Sequence, residues 1–138
     1  MKNLYSICVI DDDKIYQYTV SKILKANELA KNILVFSDGE EALDFFIENQ
    51  NAKENLPDII LLDINMPIMD GFQFMDEYVK LKPNIEKDIE IFMVSSSVDA
   101  SDVELSNRIT EISDYIVKPI KSDEVISLVS TFHDKRKN

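Results

Sequence analysis

The sequence is poor in residues that cross-link a chain or join separate domains. Its 138 residues include one cysteine, Cys8, so no disulfide can form within the chain. A lone cysteine favours a reducing, intracellular compartment. There are only two glycines and four prolines, and no stretch has the composition of a flexible linker. We therefore predict a single domain over residues 1–138, with a core spanning about residues 4–134.

Positive charge and long apolar runs are also scarce. Lys and Arg number 15 against 26 Asp and Glu, which gives a formal net charge of −11. Binding to nucleic-acid phosphates or to an anionic membrane surface needs clustered positive charge, so we predict neither partner. No run approaches the roughly 20 apolar residues that span a bilayer, and no signal-peptide core precedes Asp11. These features predict a cytoplasmic protein.

Five short apolar runs recur along the chain and do not alternate with polar residues. This composition is typical of strands in a parallel sheet that helices cover on both faces. The runs are Ile7-Cys8-Val9-Ile10, Ile33-Leu34-Val35-Phe36, Ile59-Ile60-Leu61-Leu62, Ile91-Phe92-Met93-Val94 and Tyr115-Ile116-Val117.

Segments with helical spacing lie between and after these runs. The last of them has the clearest stripe, formed by Val125, Leu128, Val129 and Phe132. The segment 99–109 is the least amphipathic, with Val103 and Ile109 as its candidates for burial. Five repeats of strand and helix predict an α/β fold with parallel strands, right-handed crossovers and helices on both faces.

Four of the five runs end at a side chain suited to metal or phosphate chemistry. In such a sheet, ligands bind outside the carboxyl ends of the strands. The residues that follow the five runs are Asp11-Asp12-Asp13, Ser37, Asp63, Ser95 and Lys118-Pro119. Carboxylates gathered at neighbouring strand ends repel one another until a proton or a cation offsets their charge. An oxygen-only site of this kind suits Mg²⁺, and a nearby hydroxyl and lysine complete a set suited to phosphoryl transfer.

In order and spacing, four blocks of the sequence resemble the receiver domain of two-component response regulators. The resemblance covers nearly the whole chain. Its blocks are Val9-Ile10-Asp11-Asp12-Asp13, Leu61-Leu62-Asp63-Ile64-Asn65-Met66-Pro67 with Met69-Asp70-Gly71, Val94-Ser95-Ser96, and Tyr115-Ile116-Val117-Lys118-Pro119. It implies a flavodoxin-like, doubly wound sheet of five parallel strands in the order 2-1-3-4-5.

The resemblance also implies a role for each residue of the site. Asp63 would be the phosphoacceptor, taking a phosphoryl group from a phosphohistidine on a sensor histidine kinase or a histidine phosphotransfer protein. Asp12 would bind Mg²⁺ directly and Asp11 largely through water. Asp63 and the backbone carbonyl of Asn65 would complete the protein ligands, and Mn²⁺ could substitute. Ser95 would hydrogen-bond one phosphoryl oxygen.

The remaining implied roles concern the lysine and the response to phosphorylation. Lys118 would pair with a second phosphoryl oxygen, and the Lys118-Pro119 bond would be cis, which proline tolerates. Tyr115 would move inward when Ser95 is drawn toward the phosphate. That movement would alter the face formed by the fourth helix, the fifth strand and the fifth helix, where an unidentified target protein would bind. A monomer, or a weak phosphorylation-dependent dimer, is expected.

Two other functions are weighed against this one. A magnesium-dependent aspartyl phosphatase of the dehalogenase-like kind needs a second Asp two residues after its nucleophile, and that position is Asn65. We therefore predict no enzyme beyond catalysis of the chain's own phosphorylation and dephosphorylation. A receiver-like interaction module that works without phosphorylation is disfavoured by the presence of all four site residues, Asp12, Asp63, Ser95 and Lys118.

The end of the sequence carries one more expectation. Four residues, 135–138, are expected to remain after the last helix, which leaves no room for an output domain. The N-terminal Met and the short tail favour a complete single-domain regulator.

Overall fold

All five apolar runs lie in β-strands, and a helix follows each strand. The structure, a computed structural model, describes residues 2–136, so Met1, Lys137 and Asn138 lie outside it. In chain order the elements are β1 (Tyr5–Ile10), α1 (Lys14–Ala26), β2 (Ala30–Phe36), α2 (Gly39–Glu48), β3 (Ile59–Leu62), α3 (Gly71–Leu81), β4 (Glu90–Ser95), α4 (Ala100–Arg108), β5 (Ile112–Val117) and α5 (Ser122–Arg136). Two short 3-10 helices, Lys53–Asn55 and Lys82–Asn84, precede β3 and β4.

The strands form one parallel sheet in the order β2-β1-β3-β4-β5. This order confirms the predicted doubly wound α/β fold. Successive side chains of a strand point to opposite faces of its sheet. Along β1, Ile7 and Val9 accordingly pack in a cluster with α1 and α5, whereas Cys8 and Ile10 pack in a second cluster with α2 and α3.

Burial on both faces holds for the three central strands but is wrong for the two edge strands. Strand β3 is buried throughout. In contrast, Val35 of β2 is 39% exposed and Val117 of β5 is 44% exposed. An edge strand has a neighbour on one side only, and the covering helices do not extend fully over it. An apolar run therefore predicts a strand correctly without revealing the strand's position in the sheet.

The last two helices differ from expectation in detail. The predicted stripe of α5 is buried, but the helix continues to Arg136, so the expectation that the last helix stops before residue 135 is wrong. In α4, Ser106 is the buried residue, Val103 is only partly buried, and Ile109 lies just beyond the helix end. None of the helices within residues 2–136 is both long enough and apolar enough to cross a membrane.

The loop between β3 and α3 contains a strained residue. Ile68 has a φ of 69°, and the Met69 N–H donates to the Pro67 carbonyl at 2.7 Å across it. The left-handed region costs an L-residue roughly 1–2 kcal/mol and is especially unfavourable for a β-branched one. The Ile68 side chain is 72% exposed, so burial returns little of this cost.

Replacing Ile68 by Asn should therefore stabilise the fold. Asparagine adopts positive φ more readily, so we expect the free energy of unfolding in urea to rise by about 1 kcal/mol. Val98→Asn is the matched control, since Val98 is similarly exposed and has no positive φ. That control should change stability by less than about 0.5 kcal/mol. Equal effects of the two substitutions would contradict the assignment of strain to Ile68.

Candidate functional site

The predicted site residues meet at the carboxyl edge of the sheet. Asp11 directly follows β1, Asp63 follows β3, Ser95 ends β4 and Lys118 follows β5. Backbone hydrogen bonds extend the sheet one step past the strands and fix two of these residues. The Asp63 N–H donates to the Ile10 carbonyl at 2.9 Å, and the Lys118 N–H donates to the Ser95 carbonyl at 2.9 Å.

Three carboxylates lie together at this edge. One carboxylate oxygen from each of Asp11, Asp12 and Asp63 lies within 4.8 Å of the others. Asp11 and Asp63 are buried, whereas Asp12 is exposed. We call these three carboxylates, together with the Lys118 ammonium, the acidic pocket. Such a set of hard oxygen donors with an open side suits Mg²⁺, which keeps several waters when it binds a protein.

The backbone and a glutamine hold Asp11 in place. The Asp13 N–H donates to Asp11 Oδ1 at 2.9 Å, and the Gln17 side-chain amide donates to the Asp11 carbonyl. Asp13 in turn caps α1 by accepting from the N–H groups of Ile15 and Tyr16 at 3.0 and 3.2 Å. The second oxygen, Asp11 Oδ2, is buried and accepts no hydrogen bond from any residue in the range 2–136. Its cationic neighbour is the Lys118 ammonium, and a carboxylate oxygen of this kind is also a hard donor that a divalent cation binds.

Lys118 supplies the positive charge of the acidic pocket. Its Nζ lies 2.7 Å from Asp11 Oδ2 and 3.8 Å from Asp63 Oδ2, and its side chain is largely buried. The shorter contact is an ion pair between the ammonium and the buried carboxylate. One lysine thus faces two buried carboxylates, and the pocket keeps an excess of negative charge.

Burial raises the pKa values of both buried carboxyls, and neighbouring negative charge adds to the effect. Burial, followed by the charge of Asp11, raises the pKa of Asp63 to about 6, against the opposing effect of Lys118. Burial likewise raises the pKa of Asp11, although Lys118 counteracts it. Binding of a proton or of a divalent cation would offset the repulsion between the two carboxylates.

The unfavourable burial of the ionised Asp63 carboxylate should make the stability of the fold depend on pH. Because folding raises the pKa of Asp63 from 3.8 to about 6, the folded state holds its proton more tightly than the unfolded state. The Asp63 contribution to stability is therefore fully present below the unfolded pKa and is lost as pH rises through the folded pKa, a decrease of roughly 1–3 kcal/mol. Urea unfolding of wild type and Asp63→Asn, without divalent cations, measures it. The stability difference between the two should grow between about pH 4 and pH 7, and a pH-independent difference would contradict the account.

Ser95 and Tyr115 both contact the loop that follows β4. Ser95 is buried, and its Oγ accepts a hydrogen bond from the Ser97 N–H at 3.2 Å. The Tyr115 hydroxyl donates to the Ser97 carbonyl at 2.8 Å. Ser97 therefore connects the two residues that the resemblance assigns to the switch. Sequence reasoning missed Ser97, although its position two residues after Ser95 could have indicated it.

Two further predicted residues lie beside the acidic pocket. The Lys118-Pro119 peptide bond is cis, as predicted. Asn65 lies two residues after Asp63 in the loop to α3, and its side chain is exposed. An exposed side chain is compatible with the prediction that Asn65 contributes its backbone carbonyl.

Comparison with known proteins agrees with this geometry. The family model described as the response regulator receiver domain matches residues 7–130. A probable transcriptional regulator, ycf27, of Guillardia theta is 30% identical over 125 residues, covering 86% of this chain and 41% of that protein. Response regulator Rcp1 of Synechocystis is 26% identical over 125 residues, covering 89% of this chain and 82% of that protein. The chain spans less than half the length of several curated relatives that it matches.

Solved structures share the fold. A two component response regulator from Cytophaga hutchinsonii superposes with a TM-score of 0.82 at 24% identity, covering 94% of this chain and 96% of that one. A response regulator receiver protein from Dyadobacter fermentans gives a TM-score of 0.77 at 27% identity, covering 93% and 97%. From the family match, the topology and the convergence of the four sequence blocks, we conclude that the chain belongs to the response regulator receiver domain family of two-component signalling.

Proposed function

We propose that this receiver domain is a phosphoacceptor switch in which Asp63 takes a phosphoryl group from a phosphohistidine on a partner protein. A sensor histidine kinase or a histidine phosphotransfer protein would be the donor. The observation that carries the proposal is the acidic pocket, where a buried, strained carboxylate faces Lys118 across 3.8 Å. Phosphoryl transfer needs little from a protein beyond positioning and charge neutralisation, and the pocket supplies both.

The two oxygens of Asp63 have different surroundings. Oδ1 accepts the Ile64 N–H at 2.9 Å, whereas Oδ2 faces Lys118. Oδ2 is therefore the proposed nucleophile. It forms a bond to phosphorus while the bond from phosphorus to the imidazole nitrogen breaks, and the imidazole leaves with that electron pair. Lys118 neutralises one phosphoryl oxygen, and water later hydrolyses the acyl phosphate.

Mg²⁺ would be held by Asp11, Asp12, Asp63 and the Asn65 backbone carbonyl, and it would offset charge on the phosphoryl oxygens. Supporting this assignment are the spacing of the three carboxylates and their excess of negative charge over the single Lys118 ammonium. One structural relative is a Mn²⁺-bound form of response regulator Rcp1, with a TM-score of 0.72 at 23% identity, covering 94% of this chain and 92% of that one. We propose Mn²⁺ as an alternative to Mg²⁺ in the same pocket.

The response to phosphorylation would begin at Ser95. A phosphoryl group on Asp63 offers strong acceptors to the Ser95 hydroxyl. Drawing Ser95 toward the phosphate would weaken its bond from Ser97 and so disturb the loop that Tyr115 also holds. The face formed by α4, β5 and α5 would change as a result. This face already exposes apolar side chains for an unidentified target, namely Leu105, Val117 and Ile126.

Several wider features belong to the same proposal. We expect the chain to work in the cytoplasm, without direct contact to nucleic acid or membrane, as a monomer or a weak phosphorylation-dependent dimer. Its catalysis would be limited to its own phosphorylation and dephosphorylation. An interaction module that works without phosphorylation is the competing function. The excess of buried negative charge in the acidic pocket argues against it.

Intact-mass spectrometry after incubation with acetyl phosphate tests the proposal. With Mg²⁺ or Mn²⁺ present, the protein should gain the mass of one phosphoryl group, and a chelator should prevent the gain. A second receiver domain that is known to accept phosphate from acetyl phosphate serves as the positive control. If that control is labelled and this chain is not, the interaction module becomes the better account.

A further inference from the structure

An aromatic ring in α1 contacts the lysine of the acidic pocket. The Lys118 Nζ lies 4.4 Å from the centroid of the Tyr16 ring. Tyr16 is only 8% exposed and belongs to the same buried cluster as Ile120 and Val125. The ring is thus fixed by packing, and it meets a lysine more than a hundred residues away in sequence.

This contact is strong because both groups are shielded from water. A cation is attracted to the face of an aromatic ring, and the attraction is stronger when both groups are desolvated. The Lys118 side chain is 15% exposed. The ammonium is therefore held by the charge of Asp11 and by the ring of Tyr16 together. Asp11 alone would draw the ammonium away from Asp63, because Lys118 Nζ lies 2.7 Å from Asp11 Oδ2 but 3.8 Å from Asp63 Oδ2.

The hydroxyl of Tyr16 takes no part in this arrangement. It is buried, and it makes no hydrogen bond within the described part of the chain. Burial raises the pKa of Tyr16, and the charges of Asp11 and Asp63 raise it further, so the phenol stays neutral. A buried hydroxyl without a partner costs stability. The useful part of the side chain is accordingly its ring, which keeps its attraction for a cation as long as the phenol is neutral.

We propose that Tyr16 is a positioning residue for Lys118 in the phosphorylation of Asp63. This inference rests on the proposed function and adds a residue to it. When a phosphoryl group arrives, the ammonium must leave Asp11 and reach a new oxygen near Asp63. The ring supports the ammonium during this move, because attraction to a ring face does not depend on one fixed partner atom.

Without the ring, the Lys118 ammonium could turn into a neighbouring cleft. A cleft of about 430 Å³ opens beside Lys118, lined also by Ile15, Tyr16, Thr19 and Pro119. A smaller aliphatic side chain at position 16 would enlarge this cleft and admit water to the ammonium. Lys118 would then spend part of its time hydrated and turned away from Asp63, which lowers the fraction of molecules ready for transfer.

Three variants separate the ring from the rest of the side chain. Tyr16→Leu removes the ring and should slow phosphorylation by acetyl phosphate about 3–30-fold, the range that corresponds to loss of the cation–ring attraction. Tyr16→Phe keeps the ring and should retain the wild-type rate. Tyr18→Leu is the matched control, because Tyr18 is an exposed neighbour with Lys22 5.9 Å from its ring centroid, and it should also retain the wild-type rate.

A second readout uses the unphosphorylated protein. Exchange of the Lys118 ammonium protons with water, followed by NMR, should be slow in wild type and Tyr16→Phe and faster in Tyr16→Leu, while the amide spectrum stays that of a folded protein. If Tyr16→Leu does not fold, Tyr16→Met takes its place, since methionine fills irregular gaps. A merely structural role would slow transfer without speeding exchange of the Lys118 ammonium protons, and that result would overturn the inference.

The outcomes also distinguish this inference from the proposed function. If wild type accepts no phosphoryl group, the proposed function fails, and the role of Tyr16 in it fails as well. If wild type is phosphorylated and Tyr16→Leu reacts at the same rate, only the inference about Tyr16 is overturned. Slowing in both Tyr16→Leu and Tyr16→Phe would assign the effect to the hydroxyl and would also overturn it.

Discussion

Asp63→Asn should abolish phosphoryl acceptance and leave a folded protein that is more stable than wild type at pH 7 in the absence of divalent cations. The loss is expected to be complete because an amide oxygen is a poor nucleophile and no other carboxylate of the acidic pocket has the same position. Asparagine has nearly the same shape as aspartate, and its Oδ1 can still accept the Ile64 N–H.

The gain in stability follows from the charge of the acidic pocket. In wild type, Asp63 is buried beside Asp11, and one lysine serves both carboxylates. Replacing Asp63 by Asn removes a charge that is both buried and repelled by Asp11. We therefore expect the free energy of unfolding to rise by roughly 1–3 kcal/mol. Mg²⁺ should stabilise wild type much more than Asp63→Asn, since the variant lacks one of the three carboxylates.

Asp44→Asn is the matched control for this substitution. Asp44 is exposed on α2, and its replacement by Asn changes the net charge by the same amount as Asp63→Asn. This control should keep the wild-type phosphorylation and change stability by less than about 0.5 kcal/mol. Phosphoryl acceptance by Asp63→Asn at the wild-type level would refute the assigned nucleophile. A loss of stability in that variant would refute the account of strain in the pocket.

Gly71→Ala should be more damaging than the same change at Gly39. Gly71 is the first residue of α3, and its N–H donates to the Ile64 carbonyl at 2.8 Å. A Cβ at this position would lie 2.2 Å from the Asp63 carbonyl oxygen and 3.1 Å from the Ile64 Cα. These are backbone atoms, so no side-chain rotation can remove the clash. Either α3 or the end of β3 must move.

We therefore expect Gly71→Ala to affect stability and function together. Overpacking of this kind costs about 1–3 kcal/mol or more, and a displacement near 1 Å at a reacting group can slow transfer on the order of 100-fold. Urea unfolding and the rate of phosphorylation by acetyl phosphate measure the two effects. Wild-type values for both would contradict the close contact between Gly71 and the phosphoacceptor strand.

Gly39→Ala provides the comparison for this prediction. A Cβ at Gly39 would lie 2.7 Å from the Met69 carbonyl oxygen and 2.9 Å from the Met69 Cγ. Part of that contact is a flexible side chain, and none of it involves Asp63. This variant should lose less stability than Gly71→Ala and should keep a larger share of its phosphorylation rate.

The order of elements and the meeting of the strand ends could be predicted from the sequence. Buried parallel strands have a distinctive composition, and their carboxyl ends share one edge of the sheet by geometry. This reasoning placed Asp11, Asp63 and Lys118 together correctly. Exposure of the edge strands was not predicted, because an apolar run carries no information about its position in the sheet.

The residues that support the pocket were harder to predict. Gln17, Ser97 and Tyr16 act through the reach and orientation of side chains between elements, and spacing along one element does not encode those distances. Tyr16 illustrates this difficulty, because its place with Val20 and Leu24 on the buried side of α1 accounts for its burial alone. Only the structure shows that the buried ring faces Lys118.

Locating the phosphoryl group on the chain decides whether Asp63 is the phosphoacceptor. After incubation with acetyl phosphate and Mg²⁺, borohydride reduces an aspartyl phosphate to homoserine, and peptide mass spectrometry then identifies the position. If Asp63 is the phosphoacceptor, we expect one modified position, Asp63, and no modification in Asp63→Asn. A modified residue elsewhere, or a modification that persists in Asp63→Asn, would contradict it.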